Sequence, residues 1–313
     1  MSFDLLVLTS PEFENSVKEL SNKFNIKINT MAVNLTTIFQ AACARLNIFS
    51  YANIDSYKKI LYLDTDIIIK GELAPLFDID LDDLLYGIEQ GTIASPNFGS
   101  KFFNLKHVNQ ETTGLNSGTL LFNNSHIIRD LFSRIRGHIN AFTDSELPAP
   151  YCMDQPFINY HSIRDNLYNN KVLNKYVSLY EDNITVSNFS TSLICHFSYP
   201  IGNFGHKYTR MTSFLVDLLN SNASNTTTSD DSILASSILN KKYCWGKGFI
   251  KFKNANLETF WGEGAYKVKN NTVLANWRGF NHILQFNSDY TEYYAIRIYP
   301  LDCSYSVGKY IVE

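Results

Sequence analysis

The sequence predicts an α/β fold with a mostly parallel central sheet, followed by a small all-β domain. Three observations carry that expectation. Short apolar runs alternate with amphipathic stretches of helical period over the first two thirds of the chain. A polar Asn-, Ser- and Thr-rich segment then interrupts the alternation near residue 220. Beyond it, aromatic and β-branched residues alternate with polar ones between Gly and Asn turns.

The elements follow in order. Leu5 to Leu8 (LLVL) is a continuous apolar run, expected as a strand buried on both faces. Ser10-Pro11 opens a helix with Ser as N-cap and Pro in the first turn, and Phe13, Val17, Leu20 and Phe24 fall on one face. Ile26 and Ile28 alternate with Lys27 and Asn29, as in a strand. Asn34 is the expected cap of a helix that carries Ile38, Ala42, Leu46 and Phe49 on one face. Ile60 to Leu63 (ILYL) and Ile67 to Ile69 read as further strands. Gly118 to Phe122 reads as a strand, and Ser125 as the cap of a helix with Ile128, Leu131, Phe132 and Ile135 at helical spacing. Asp154-Gln155-Pro156 begins another helix, with Asp as the cap. Leu193 and Ile194 lead into a strand that ends at His196, and Met211, Phe214, Leu215 and Leu218 mark one more helix.

This organisation gives an expected α/β domain over 1–219, a polar linker over 220–240 and a small antiparallel β-domain over 241–313. The strand signals of the last part are Thr259 to Trp261, Val273-Leu274, His282 to Phe286 and Tyr294 to Ile298. Trp261, Trp277, Tyr290, Tyr293 and Tyr294 could form a sugar-stacking face. The alternative, and the weightier one, is that they form the core of a small sandwich or barrel.

Composition excludes several classes. The chain has 313 residues, 45% of them hydrophobic and 18% charged, which suits a packed core rather than global disorder. Its net charge of −3, with no basic tract, argues against a nucleic-acid partner. No apolar run approaches the roughly 20 residues of a membrane helix, and the N-terminus has no signal-peptide pattern. The five cysteines are scattered without a CxxC, as expected of free thiols in a reducing, cytoplasmic compartment.

The chemistry concentrates at Tyr62-Leu63-Asp64-Thr65-Asp66, at the end of an apolar strand. Alternate side chains of an extended segment share a face, so Asp64 and Asp66 can converge. Two hard oxygen ligands suit Mg²⁺ or Mn²⁺, with diphosphate oxygens completing the shell. His196 ends a second apolar run; imidazole beside two carboxylates favours Mn²⁺, whereas a lone histidine is otherwise a core residue with a hydrogen-bond partner. Lys207 follows the glycine-bearing loop Gly202 to Gly205, where backbone can approach phosphate and Lys supplies a point charge.

These stretches resemble glycosyltransferase family 8, the glycogenin and lipopolysaccharide galactosyltransferase group. The resemblance spans roughly Phe3 to Leu219 and is carried by Arg45-Leu46, Lys59 to Asp66, Leu115-Asn116-Ser117-Gly118-Thr119-Leu120-Leu121, Asp154-Gln155 and the His196 to Lys207 loop. It implies a GT-A-type fold and transfer of a sugar, with retention, from a UDP-sugar donor to a glycan or protein acceptor hydroxyl. It assigns the metal, Mn²⁺ or Mg²⁺, to Asp64, Asp66 and His196, and a diphosphate contact to Lys207. Arg45 would approach the phosphates or the aspartates. Asn116 and Gln155 would line the sugar site, Asp154 would contact donor or acceptor hydroxyls, and Glu89 would stand as an acidic sugar-binding residue. Gln155 is also the candidate for polar stabilisation beneath the anomeric centre.

Two departures from the family pattern stand out. The family normally starts with one more strand and helix, whereas this sequence begins at what resembles the second strand, which makes a second copy of the chain a candidate partner. The usual compact H-x-x-G-x-x-K segment is also stretched between His196 and Lys207. The leading expectation is therefore a metal-dependent hexosyltransferase. A catalytically weak or inactive glycan-binding protein on the same scaffold is the alternative. A nucleotidyltransferase is a third reading, disfavoured because no glycine-rich basic loop precedes the first strand.

Overall fold

A computed structural model describes residues 3–145, 147–180, 192–198, 207, 210–212, 214–215, 229–254, 256–269, 272–299 and 305–311. The chain forms two compact units, one of residues 1–18 and 28–201, the other of residues 19–27 and 202–313.

The chain opens with strand β1 (Leu5–Thr9), a 3-10 turn at Pro11–Phe13, helix α1 (Glu14–Phe24), which belongs to the first unit only through Lys18, and strand β2 (Ile28–Ala32). β1 and β2 pair in parallel, as a βαβ crossover requires. β1 departs from the expectation of two buried faces, because Leu5 is 48% exposed. Among the described residues its sheet has two strands, β1 and β2.

Helix α2 (Ile38–Cys43) starts three residues later than the Asn34 cap expected from sequence. Thr37 caps it instead, its hydroxyl accepting from the Gln40 amide at 3.1 Å, while the Gln40 side-chain oxygen accepts from the Thr36 amide at 2.8 Å. That reciprocal pattern outcompetes a lone Asn. A 3-10 turn, Ala44–Ser50, continues the helix and drives Arg45, Leu46 and Ile48 into the interior.

Four strands form the main sheet in the order β3 (Lys59–Leu63), β6 (Thr113–Asn123), β5 (Leu85–Thr92) and β7 (Tyr168–Asn169). β6 runs antiparallel to both neighbours, whereas β5 and β7 are parallel. A second sheet places β9 (Ile194–His196) between β4 (Ile67–Ile69), antiparallel, and β8 (Val177–Leu179), parallel. The expected α/β class holds, but the central sheet is mixed rather than mostly parallel: β6 runs antiparallel to β3 and β5, and among the described residues parallel pairing is confined to β1–β2, β5–β7 and β8–β9.

β6 is buried from Gly114 to Phe122, much longer than the Gly118–Phe122 segment expected. Helix α3 (Ala74–Phe77) is a single turn, whereas helix α4 (His126–Asp144) lays Ile128, Leu131, Phe132, Ile135 and Ile139 against the core, and Ser125 caps it. Phe122, Phe132 and Phe49 form a ring cluster with centroids 5.1 to 5.9 Å apart. Helix α5 (Gln155–Arg164) is buried on most sides, and Asn159 zips it to β6 by accepting from the Leu115 amide and donating to the Leu115 carbonyl.

The second unit contains helix α6 (Ser229–Ile238) and eight antiparallel strands, β10 (Lys242–Trp245) through β17 (Tyr305–Lys309), paired in sequence order. α6 lies inside the stretch expected to be linker. Leu234 and Ile238, fully buried, explain why it orders: they close one part of the β-sheet core. The meander returns on itself, since Tyr243 and Tyr310 form a bridge and the Ile311 amide donates to the Lys242 carbonyl at 2.8 Å. Of the aromatic residues that suggested a sugar face, Trp277 and Tyr293 are core residues and Tyr290 packs against that core. Trp261 and Tyr294 are half-buried.

Among the described residues no helix is long and apolar enough to cross a membrane. Cys43, Cys152, Cys195 and Cys244 are free thiols. Truncating Phe122, which is fully buried at the ring cluster, to Ala is expected to lower the unfolding free energy of its unit by about 3–5 kcal/mol, measured by denaturant titration.

Candidate active site

The site grows from three strand ends. β3 delivers Asp64, whose backbone amide donates to the Gly118 carbonyl of β6 at 2.8 Å. Two residues on, the Asp66 carbonyl accepts from the Phe197 amide at 2.9 Å, which ties the loop to the end of β9. β9 ends at His196, paired with Ile67. The backbone thereby gathers two acids and an imidazole that lie far apart in sequence.

Their side chains converge. One ligand atom each from Asp64, Asp66 and His196 lies within 4.8 Å of the others. His196 Nε2 stands 3.3 Å from Asp66 Oδ1 and 4.0 Å from Asp64 Oδ2. His196 is 2% exposed, and its Nδ1 has no hydrogen-bond partner among the described residues. A core histidine normally satisfies its ring nitrogens on the protein. This one instead turns Nε2 to two carboxylates. Two carboxylate oxygens and one imidazole nitrogen form a donor set that fits a divalent cation such as Mn²⁺.

Gly118 makes the convergence sterically feasible. A Cβ at that position would sit 2.2 Å from His196 Cε1 and 2.6 Å from Asp64 Oδ2. The strand carrying the Asn-Ser-Gly sequence therefore forms one wall of the cluster.

Arg45 forms the other support. It is 6% exposed, and its guanidinium reaches Asp64 Oδ1 at 3.2 Å and Asp154 Oδ2 at 2.9 Å. Its Nε proton points to the Ala42 carbonyl, so the Asp154 contact is an ion pair without a shared proton. Another nitrogen donates to the Ser117 carbonyl. The guanidinium lies over the Tyr62 ring, 4.6 Å from its centroid, and the Tyr62 hydroxyl donates to Asp64 Oδ1 at 2.7 Å. Burial opposes the Arg45 charge, but Asp154 and Asp64 outweigh it and hold the group more firmly protonated than usual. Burial pushes Asp154 up to about 6, against the pull of Arg45.

Asp154 occupies the position before α5 but does not cap it with its side chain. Met153 adopts a left-handed backbone (φ 52°), and Asp154 itself is already helical. A capping side chain needs extended backbone at that residue, so the carboxylate turns inward to Arg45 instead.

The other expected residues are engaged in holding the wall. Asn116 is buried; its Oδ1 accepts from the Gly118 amide and its Nδ2 donates to Gln90. Gln155 accepts from the Ser117 amide and donates to the Asn97 carbonyl. Glu89 is paired with Lys171, whose hydrogen bond holds its carboxyl below the usual range. Glu89 lies opposite Leu115 on the neighbouring strand, one position from the Ile88–Asn116 pair. Lys207 is helical and half-buried in the second compact unit, and the Gly202 to Gly205 loop before it lies outside the described residues. Sequence reasoning passed over Tyr62 as a functional residue, although its place two residues before Asp64 on a strand puts both side chains on one face. It also passed over Asn159 and Gln90, which carry no local motif.

The acid–acid–imidazole cluster thus follows an apolar strand on an α/β scaffold. Residues 6–200 match glycosyl transferase family 8. The chain belongs to that family and is a glycosyltransferase. Among solved structures it is similar to a glycosyltransferase involved in glycosylation of the major capsid of PBCV-1, at 12% identity and a TM-score of 0.39, covering 67% of this chain and 100% of that one. It is similar to the galactosyltransferase LgtC in complex with donor and acceptor sugar analogs, at 14% identity and a TM-score of 0.43, covering 74% and 88%. It is also similar to the glycosyltransferase GlyE of Streptococcus pneumoniae TIGR4, at 16% identity and a TM-score of 0.36, covering 75% and 64%. No curated protein matches the chain.

Two expectations follow from the geometry. Gly118→Ala forces His196 or Asp64 aside, so Mn²⁺ affinity should fall by at least about tenfold in a direct metal titration. The second concerns pH. The folded pKa of Asp154 lies above its ordinary value of 3.8, so the folded state binds that proton more tightly than the unfolded one. The associated stability is fully present below about pH 4 and is lost as pH rises through about 6. The unfolding free energy of Asp154→Asn, followed from pH 4 to 7 against the wild type, should lack that decline.

Proposed function

We propose that this glycosyltransferase moves a hexose from a UDP-sugar to an acceptor hydroxyl, with retention at the anomeric carbon and dependence on Mn²⁺ or Mg²⁺. The observation that carries the reading is the convergence of Asp64, Asp66 and His196 on the space beside Gly118. Those three residues would hold the cation. When bound, it supplies positive charge against the diphosphate that leaves as the glycosidic bond breaks.

The protein's own residues do the rest. Arg45, buried and charged, anchors Asp64 from behind and keeps the acidic cluster from repelling itself apart. Lys207 is assigned to the donor diphosphate. Asn116 and Gln155 set the shape of the β6 wall against which the sugar would lie, through bonds to the Gly118 and Ser117 amides. Asp154 and Glu89 are assigned to donor or acceptor hydroxyls. Among the described residues, the two carboxylates assigned to sugar hydroxyls are each paired with a cation, Asp154 with Arg45 and Glu89 with Lys171. Same-face attack by the acceptor hydroxyl therefore suits the site better than a covalent glycosyl-enzyme. Gln155 is assigned to polar stabilisation beneath the anomeric centre.

The test is calorimetric titration of UDP with and without Mn²⁺. Binding only with Mn²⁺, abolished by Asp66→Asn at unchanged thermal midpoint, is the expected result. Absence of binding under both conditions would transfer the chain to a non-catalytic glycan-binding role on the same scaffold. A trapped glycosyl-enzyme adduct seen by mass spectrometry would overturn the same-face route.

A further inference from the structure

The two oxygens of Asp64 have different neighbours. Oδ1 accepts from the Tyr62 hydroxyl at 2.7 Å and lies 3.2 Å from the Arg45 guanidinium. Oδ2 faces the opposite way: it is the oxygen 4.0 Å from His196 Nε2, and the one a Cβ at Gly118 would strike. A carboxylate rotates freely about its last bond unless its oxygens are told apart. A hydroxyl donor and a guanidinium charge on the same oxygen tell them apart.

We infer that Tyr62 is a positioning residue: its hydroxyl, with Arg45, pins Asp64 Oδ1 and thereby presents Oδ2 alone to the cation, making Asp64 a one-oxygen ligand. The inference rests on the metal-site reading of Asp64, Asp66 and His196. Tyr62 itself does not touch the cation. Its ring has a separate task, since it lies beneath the Arg45 guanidinium with 4.6 Å between them. Hydroxyl and ring can therefore be tested separately. Without the hydroxyl, Asp64 Oδ1 retains only the Arg45 ion pair among the described residues, and the carboxylate gains a second accessible orientation. An outer-shell hydrogen bond of this kind typically changes metal affinity by about 10- to 100-fold.

The experiment titrates Mn²⁺ into the full chain without nucleotide and follows the electron paramagnetic resonance signal of the free ion. The thermal midpoint of the metal-free protein is measured in parallel. Tyr62→Phe keeps the ring under Arg45 and removes only the hydroxyl. It should weaken Mn²⁺ binding by roughly tenfold at an unchanged midpoint. Tyr62→Leu removes ring and hydroxyl together, and should lose at least as much affinity while also lowering the midpoint. If Tyr62→Phe binds Mn²⁺ as the wild type does and only Tyr62→Leu is impaired, the ring serves packing and the inference is overturned. If the wild type binds no Mn²⁺, the metal site itself is wrong and the inference falls with it.

Discussion

A single buried guanidinium organises the first unit's chemistry. Arg45 enters the interior on a 3-10 turn and meets two carboxylates, one from the loop after β3 and one from the start of α5. Removing an ion from water costs several kcal/mol, and one carboxylate seldom repays it. Two carboxylates, the Ala42 and Ser117 carbonyls and an aromatic face together do. The dependence runs both ways. Without Arg45, Asp154, nearly sealed from solvent, would lose the cation it is paired with.

Much of this was legible in the sequence because it is written in local pattern. The apolar run ending in Asp64-Thr65-Asp66, the strand ending at His196 and the Asn116-Ser117-Gly118 stretch each announce themselves within a few residues. What escaped is non-local. Asp154 stood at a helix start with a capping residue's identity, yet the left-handed turn at Met153 and the charge of Arg45 redirect it inward. Asn34 looked like a cap, but the Thr37–Gln40 pair makes more hydrogen bonds. Leu5 to Leu8 looked like a strand buried on both faces, and only sheet position could say that, among the described residues, it pairs with β2 alone. Roles such as that of Asn159, which joins α5 to β6, have no sequence signature because both partners are backbone atoms of a distant strand.

The second unit reads differently. Its aromatic density was ambiguous between a ligand face and a core, and burial decides most of it for the core. Tyr293 is held by its hydroxyl on the Cys244 carbonyl, and its ring lies so close to Gly308 that a side chain there would overlap it. Trp277 stacks on His282 with ring centroids 3.9 Å apart, and Trp245 meets both edge-on. In a small closed sheet, rings fill volume that aliphatic side chains would leave open.

The pairing of β4 with β9 has a kinetic side. The eight-stranded meander can zip up from neighbouring hairpins, each closing a short loop, with only its first and last strands joined across the whole length. The acid–histidine cluster has no such local route. Asp66 and His196 meet only when β9, far along the chain, docks antiparallel to β4, and loop closure over that span precedes any reward from the contact. During synthesis the ribosome has already released Asp64 and Asp66 long before His196 emerges. The two aspartates are neighbours from the start, but the third donor of the set joins them only with the β4–β9 pairing.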